Sequence, residues 1–133
     1  MQKVRKDDIM YMNQARVLII DDSPEVNEVL QEFLESKGCK VVTSTDGAEG
    51  LQLAMANQFS LALVDIRMPG LMGDEILATM KKLFQSMPVI MITGHQDDET
   101  AKRCMELGAY DFITKPFDFK YLETSVLSAI FVA

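Results

Sequence analysis

Val17-Leu18-Ile19-Ile20-Asp21-Asp22-Ser23-Pro24 runs four aliphatic residues straight into a polar cluster. An unbroken aliphatic run with no polar alternation is what a strand covered on both faces requires. Ser23 then reads as a helix N-cap and Pro24 as the first helical residue, where its missing N–H and fixed φ suit the turn. Apolar residues at Val26, Val29, Leu30, Phe33 and Leu34 continue at helical spacing, and Gly38 is placed to end that helix. A buried strand therefore ends in two carboxylates and turns directly into a helix.

The same unit recurs along the chain. Val41-Val42-Thr43 is a second strand, and Asp46-Gly47 opens a helix with Ala48, Leu51, Ala54 and Met55 on its inner stripe. Leu61-Ala62-Leu63-Val64 is a third strand, ending in Asp65. Met68-Pro69-Gly70 is loop, because Pro69 disfavours a helical residue before it. Ile76, Leu77, Met80, Leu83 and Phe84 mark the third helix, and Pro88 starts the fourth strand, Val89-Ile90-Met91-Ile92, which ends at Thr93-Gly94. Ala101, Cys104 and Met105 mark a fourth helix closed by Gly108. Tyr110-Asp111-Phe112-Ile113 is a fifth strand, followed by Thr114-Lys115-Pro116 and a last helix capped by Asp118, with Leu122, Val126 and Ile130 inside. Strict alternation with short connections gives an α/β fold, a doubly wound parallel sheet with right-handed crossovers.

At 133 residues the chain suits one domain. Residues 1–15 read as an N-terminal extension and 16–133 as the domain. Within the extension, Met10-Tyr11-Met12 reads as a hydrophobic patch or a disordered arm. The net charge is −7, from 13 basic and 20 acidic residues, which disfavours a phosphate-tracking surface for nucleic acid and docking on an anionic membrane. No apolar run is long enough to span a bilayer, and Met1 to Gln14 has no apolar signal region. Cys39 and Cys104 lack metal-ligand spacing and read as buried small residues in a reducing cytoplasm. The ten methionines read as core fillers.

Open α/β sheets bind ligands beyond the carboxyl ends of their strands. Those ends carry Asp21, Asp22, Asp65, Thr93 and Lys115. Any one of them has an ordinary explanation as a cap or a solvated charge; their common edge is what chance rarely supplies. Gathered carboxylates repel unless a cation offsets them, and an all-oxygen donor set suits a hard ion such as Mg²⁺. The acidic loop after the first strand opposes a flavin or nucleotide phosphate there, and no glycine-rich phosphate loop occurs. Carboxylates, an ammonium and a hydroxyl around Mg²⁺ suit phosphoryl transfer to an aspartate, and Asp65, on a central strand, is the natural nucleophile.

From about Arg16 onward the chain resembles the receiver domain of two-component response regulators, in the nitrogen-regulation-type or stand-alone form. The resemblance is carried in order by Val17-Leu18-Ile19-Ile20-Asp21-Asp22, Leu63-Val64-Asp65-Ile66-Arg67-Met68-Pro69-Gly70, Ile90-Met91-Ile92-Thr93-Gly94 and Gly108-Ala109-Tyr110-Asp111-Phe112-Ile113-Thr114-Lys115-Pro116-Phe117. It implies a flavodoxin-like sheet of five strands in the order 2-1-3-4-5. It implies Asp65 as phosphoacceptor, Mg²⁺ held by Asp22, Asp65 and the backbone carbonyl of Arg67, and Asp21 as an indirect partner. Thr93 and Lys115 would contact the phosphoryl group, Lys115-Pro116 would be cis, and Thr93 with Phe112 would form the switch. Arg67 and His95, each two residues past a site residue, are free to set the lifetime of the phosphorylated state. Shielding by the Arg67 guanidinium is expected to make that lifetime long, with a smaller effect from His95.

The partners so implied are a sensor histidine kinase or phosphotransfer protein, and an output domain or protein. The output would dock on the face of the fourth helix, fifth strand and last helix, where Lys102, Arg103, Glu106, Tyr110 and Lys120 are expected to lie exposed. The receiver is a phosphoacceptor signalling domain rather than an enzyme with a separate substrate, and it stands alone or is cut from a longer transcriptional regulator. The rival enzyme is a haloacid-dehalogenase-type phosphatase. That family needs Asp-x-Asp after the first strand, where this chain has adjacent aspartates.

Overall fold

The structure, a computed structural model, describes Met12, residues 15–94 and residues 98–132. Five strands alternate with five helices: β1 (Arg16–Ile20), α1 (Pro24–Ser36), β2 (Lys40–Ser44), α2 (Gly47–Ala56), β3 (Leu61–Asp65), α3 (Gly73–Leu83), β4 (Val89–Thr93), α4 (Asp98–Glu106), β5 (Asp111–Thr114) and α5 (Phe119–Val132). The sheet is wholly parallel, as the alternation of strands and helices leads one to expect, and its order, β2-β1-β3-β4-β5, is the one the resemblance implies. Every residue of β3 and β4 is buried, and so are the four aliphatic residues of β1.

Two cores sandwich the sheet, set by the alternation of side chains along each strand. Val17, Ile19, Leu61, Leu63, Ile90, Ile92 and Ile113 face Leu30 and Leu34 of α1 and Leu122 and Val126 of α5. Leu18, Ile20, Ala62, Val64, Val89 and Met91 face Ala54, Ile76, Leu77, Met80 and Cys104 on α2, α3 and α4. Met12, assigned to the extension on sequence grounds, is fully buried in the first core. Met10 and Tyr11 lie outside the described residues. Both cysteines are free and buried, and burial pushes each thiol up to about 11, so they pack as inert small residues.

The helix ends follow their sequence signals. Ser23 Oγ accepts from the Val26 amide at 3.3 Å, Asp46 Oδ1 from the Ala48 amide at 2.8 Å, and Asp118 Oδ1 from the Lys120 amide at 3.0 Å. Gly38 and Gly108 end α1 and α4 with φ of 97° and 102°, a conformation that a side chain would strain.

Several stripe assignments need correction. The inner face of α2 is Gly47, Gly50 and Ala54, whereas Ala48 and Met55 are exposed. A Cβ on Gly50 would stand 2.4 Å from Ile20 Cδ1, so the helix lies too close to the sheet for a side chain. Val29, Leu83 and Met105 also face solvent, and the buried place on α1 beside Leu30 belongs to the polar Asn27. β5 begins one residue later than the aromatic pattern suggested, at Asp111. Among the described residues no helix is long and apolar enough to cross a membrane.

Candidate functional site

The topology brings the ends of β1, β3, β4 and β5 together at one edge. Asp65 is the last residue of β3 and continues the row Leu61, Leu63 on the α1/α5 side of the sheet. Asp21 follows the same row in β1 and is fully buried; Asp65 is 4% exposed. Two such carboxylates would repel strongly without a cation between them. Lys115, just past β5, supplies one. Its Nζ lies 3.1 Å from Asp21 Oδ2 and 3.7 Å from Asp65 Oδ2. The Lys115–Pro116 bond is cis, and the Lys115 amide donates to the Thr93 carbonyl at 2.8 Å, which fixes the end of β5 to β4.

The loop backbones hold the other carboxylate oxygens. The Ser23 amide donates to Asp21 Oδ1 at 2.9 Å and the Arg67 amide to Asp65 Oδ1 at 3.2 Å. Asp22, by contrast, is exposed at the mouth. One carboxylate oxygen from each of Asp21, Asp22 and Asp65 lies within 4.8 Å of the others. Asp21 Oδ2 is buried without a well-directed hydrogen bond. An acidic all-oxygen cluster with such an oxygen fits a hard divalent cation.

Electrostatics single out Asp65. Burial, chiefly, together with the neighbouring Asp21 and Asp22 charges, pushes its carboxyl up to about 6, while the Arg67 amide and Lys115 pull the other way. The folded protein therefore holds a proton on Asp65 more tightly than the unfolded chain does. Its contribution to stability is full below the ordinary value of 3.8 and is lost as pH rises through about 6. In metal-free buffer we expect the parent to lose on the order of 2 kcal/mol relative to Asp65→Asn between pH 4 and 7. Paired urea titrations across that range check this; a constant difference between the two proteins would contradict it.

Thr93, 7% exposed, ends β4 on the opposite row from Asp65. Phe112 is half-buried in β5 and pairs in register with Met91, while Thr93 pairs with Thr114, so Thr93 and Phe112 share one face a single step apart. His95 lies outside the described residues. Arg67 is exposed at the edge of the pocket.

On the expected output face, Lys102, Arg103, Glu106 and Lys120 are exposed. Tyr110 is only half-buried, with its hydroxyl against Ser128 Oγ, and Arg103 Nε reaches Asp74 Oδ2 of α3 at 3.2 Å. Two residues that hold the site escaped the sequence reading. Gly73, at the start of α3, packs on the backbone of Asp65 and Ile66, and Asn27 donates to the backbone at the ends of β1 and β2.

A doubly wound parallel sheet with a lysine-paired acidic pocket at its carboxyl edge is an α/β ligand-binding architecture. Comparison with known proteins gives the family: the model of the response regulator receiver domain matches residues 17–127, and the chain belongs to that family. The C4-dicarboxylate transport transcriptional regulatory protein DctD of Pseudomonas aeruginosa is 42% identical over 118 residues, covering 88% of this chain and 25% of that protein. The transcriptional regulatory protein YkoG of Bacillus subtilis is 34% identical over 119 residues, covering 90% of this chain and 52% of its own length. The chain thus spans about half of one curated relative and a quarter of the other. A receiver domain protein of Clostridium thermocellum has the same fold, with a TM-score of 0.85 at 32% identity over 90% of this chain and 96% of that one. The chain is a receiver domain of two-component response regulators.

Proposed function

We propose that Asp65 accepts a phosphoryl group from a phosphohistidine of a sensor kinase or phosphotransfer protein, and that this switches a partner-binding face. The observation that carries this reading is the meeting of Asp65, Asp21 and Lys115 at the sheet edge, with Lys115 Nζ within reach of both carboxylates. An Asp65 carboxylate oxygen forms the new bond to phosphorus as the donor's P–N bond breaks. The electron pair returns to the imidazole nitrogen, which takes up a proton from solvent. Burial keeps competing water away from the reacting carboxylate. The Lys115 ammonium lies where it can turn from Asp65 to the new phosphoryl oxygens, and Thr93 Oγ1 offers them a hydrogen bond.

Mg²⁺ would be held by Asp22, Asp65 and the backbone carbonyl of Arg67, with Asp21 acting indirectly. When bound it neutralises charge on the phosphoryl oxygens. Asp21 is already held by Ser23 and Lys115, whereas Asp22 is exposed at the mouth. Asp22→Ala is therefore expected to weaken Mg²⁺ binding more than Asp21→Ala; calorimetric titration giving the reverse order would contradict this division of roles.

The signal would travel through Thr93 and Phe112 as a shift between two packings, read on α4, β5 and α5 by an output domain or protein. Arg67 at the pocket edge would shield the phosphoryl group, in keeping with a long-lived signal. The curated relatives described are transcriptional regulatory proteins, which supports a transcriptional output, and the two free cysteines suit the cytoplasm. Incubation with acetyl phosphate and Mg²⁺ tests the reading by intact mass. One stable phosphoryl adduct per chain is expected; sustained turnover of a generic phosphate ester with no adduct would overturn it.

A further inference from the structure

We infer that Asn27 is a positioning residue for the cation site: its side-chain amide fixes the Asp21–Asp22 peptide and so presets the acidic pair for metal. The inference rests on the phosphoryl-accepting reading above, and it concerns how the site is built rather than what it accepts.

Asn27 lies in the first turns of α1, where helical side chains tilt back toward the N-terminus. It is 4% exposed. Its Nδ2 donates to the Asp21 carbonyl at 3.0 Å and to the Ser44 carbonyl at 3.2 Å, and the Asp21 amide donates to the same Ser44 carbonyl at 3.1 Å. Two carbonyl acceptors require the nitrogen there, so the orientation of the amide is determined by its partners. The other end, Oδ1, is buried and has no hydrogen-bond partner. A leucine of similar size would leave no such orphan acceptor on the helix. What asparagine adds is the pair of donated bonds, and both go to the strand ends that carry the acidic loop.

The Asp21 carbonyl belongs to the peptide group whose nitrogen is that of Asp22. Holding that carbonyl fixes the plane from which the Asp22 side chain departs. Asp21 is independently held by Ser23 and Lys115, but Asp22 is exposed and is repelled by both neighbouring carboxylates. Without the Asn27 bonds, the peptide can rotate to carry Asp22 away from Asp21 and Asp65. Bringing it back then opposes metal binding.

The test is Mg²⁺ titration of the full chain, followed by the Asp22 amide signal in ¹⁵N NMR, on the parent, Asn27→Leu, Asn27→Ser and Leu34→Val. Leu34 is fully buried on the same helix but contributes only packing, so its variant measures what lost stability alone does to affinity. Asn27→Leu is expected to weaken Mg²⁺ binding about tenfold, as loss of a supporting bond to a ligand does elsewhere. Asn27→Ser, which keeps one short donor, should fall between, and Leu34→Val should match the parent. In the metal-free spectra, the Asp22 amide should shift in both Asn27 variants and stay put in Leu34→Val. Should Asn27→Leu fail to fold, Asn27→Ser decides by the same two readouts. Parent-like affinity in the folded Asn27 variants, or equal weakening in Leu34→Val, overturns the inference while leaving phosphorylation of Asp65 intact. A parent that gains no phosphoryl group from acetyl phosphate would instead overturn the functional reading.

Discussion

Asp65→Asn is expected to abolish phosphoryl incorporation from acetyl phosphate and Mg²⁺, because an amide cannot form the acyl phosphate. The same substitution should raise stability in EDTA at neutral pH. It removes the one carboxylate that is buried against Asp21 and held above its ordinary range, while leaving an oxygen to accept from the Arg67 amide. Loss of function with a gain in stability separates a charge gathered for chemistry from one that merely holds the fold. A variant that lost both would place Asp65 among the structural carboxylates. The two readouts are intact mass and urea unfolding of the same preparation.

Gly73→Ala should be the most damaging single-methyl change at this edge. A Cβ at that position would stand 2.2 Å from the Asp65 carbonyl oxygen, 2.6 Å from Ile66 Cα and 2.9 Å from the Asp65 carbonyl carbon. All three obstacles are backbone, so relief requires moving α3 or the end of β3, and the Gly73 amide would then lose its bond to the Ile66 carbonyl at 2.9 Å. A loss of about 3 kcal/mol is expected, at the upper end for overpacking, together with slower phosphorylation as Asp65 shifts. Gly47→Ala is the control. There the nearest obstacle is the far end of the Ile76 side chain at 2.8 Å, which can turn aside, so the loss should stay within about 1 kcal/mol. Equal losses in the two variants would mean that the close approach of α3 to Asp65 is not what limits the site.

The contrast between these glycines shows what a sequence displays and what it hides. Asp21, Asp65 and Thr93 were legible because each stands at the end of a strongly apolar strand, and Lys115 because it follows the last strand; a parallel sheet has one edge at which its strands end. The helix caps were legible from Ser23 and Asp46 ahead of their helices, whereas the strand order came from the family resemblance and not from the strands themselves. Hydrophobic periodicity failed where contact is made by residues that carry no hydrophobic signal. Gly47 and Gly50 line the inner face of α2 while Ala48 and Met55 face solvent: a Cβ on Gly50 would meet Ile20 of the sheet and one on Gly47 would meet Ile76 of α3. Asn27 is polar and outside the hydrophobic stripe, and only the carbonyls of Asp21 and Ser44 opposite it reveal why it is buried. Gly73 carries no signal of its own in the sequence, and its closeness to Asp65 exists only in three dimensions. Tyr110 lies partly exposed, as expected, and its hydroxyl meets Ser128 of α5 at the surface, a contact between segments that no local pattern encodes.

The central claim is that the field of this pocket makes Asp65, among three clustered carboxylates, the one that carries phosphate. The most direct test is to phosphorylate the parent with acetyl phosphate and Mg²⁺, trap the acyl phosphate by borohydride reduction and locate the reduced residue by peptide mass spectrometry. Modification confined to Asp65 is the predicted result. Modification at Asp21 or Asp22, or spread over all three, would contradict the account.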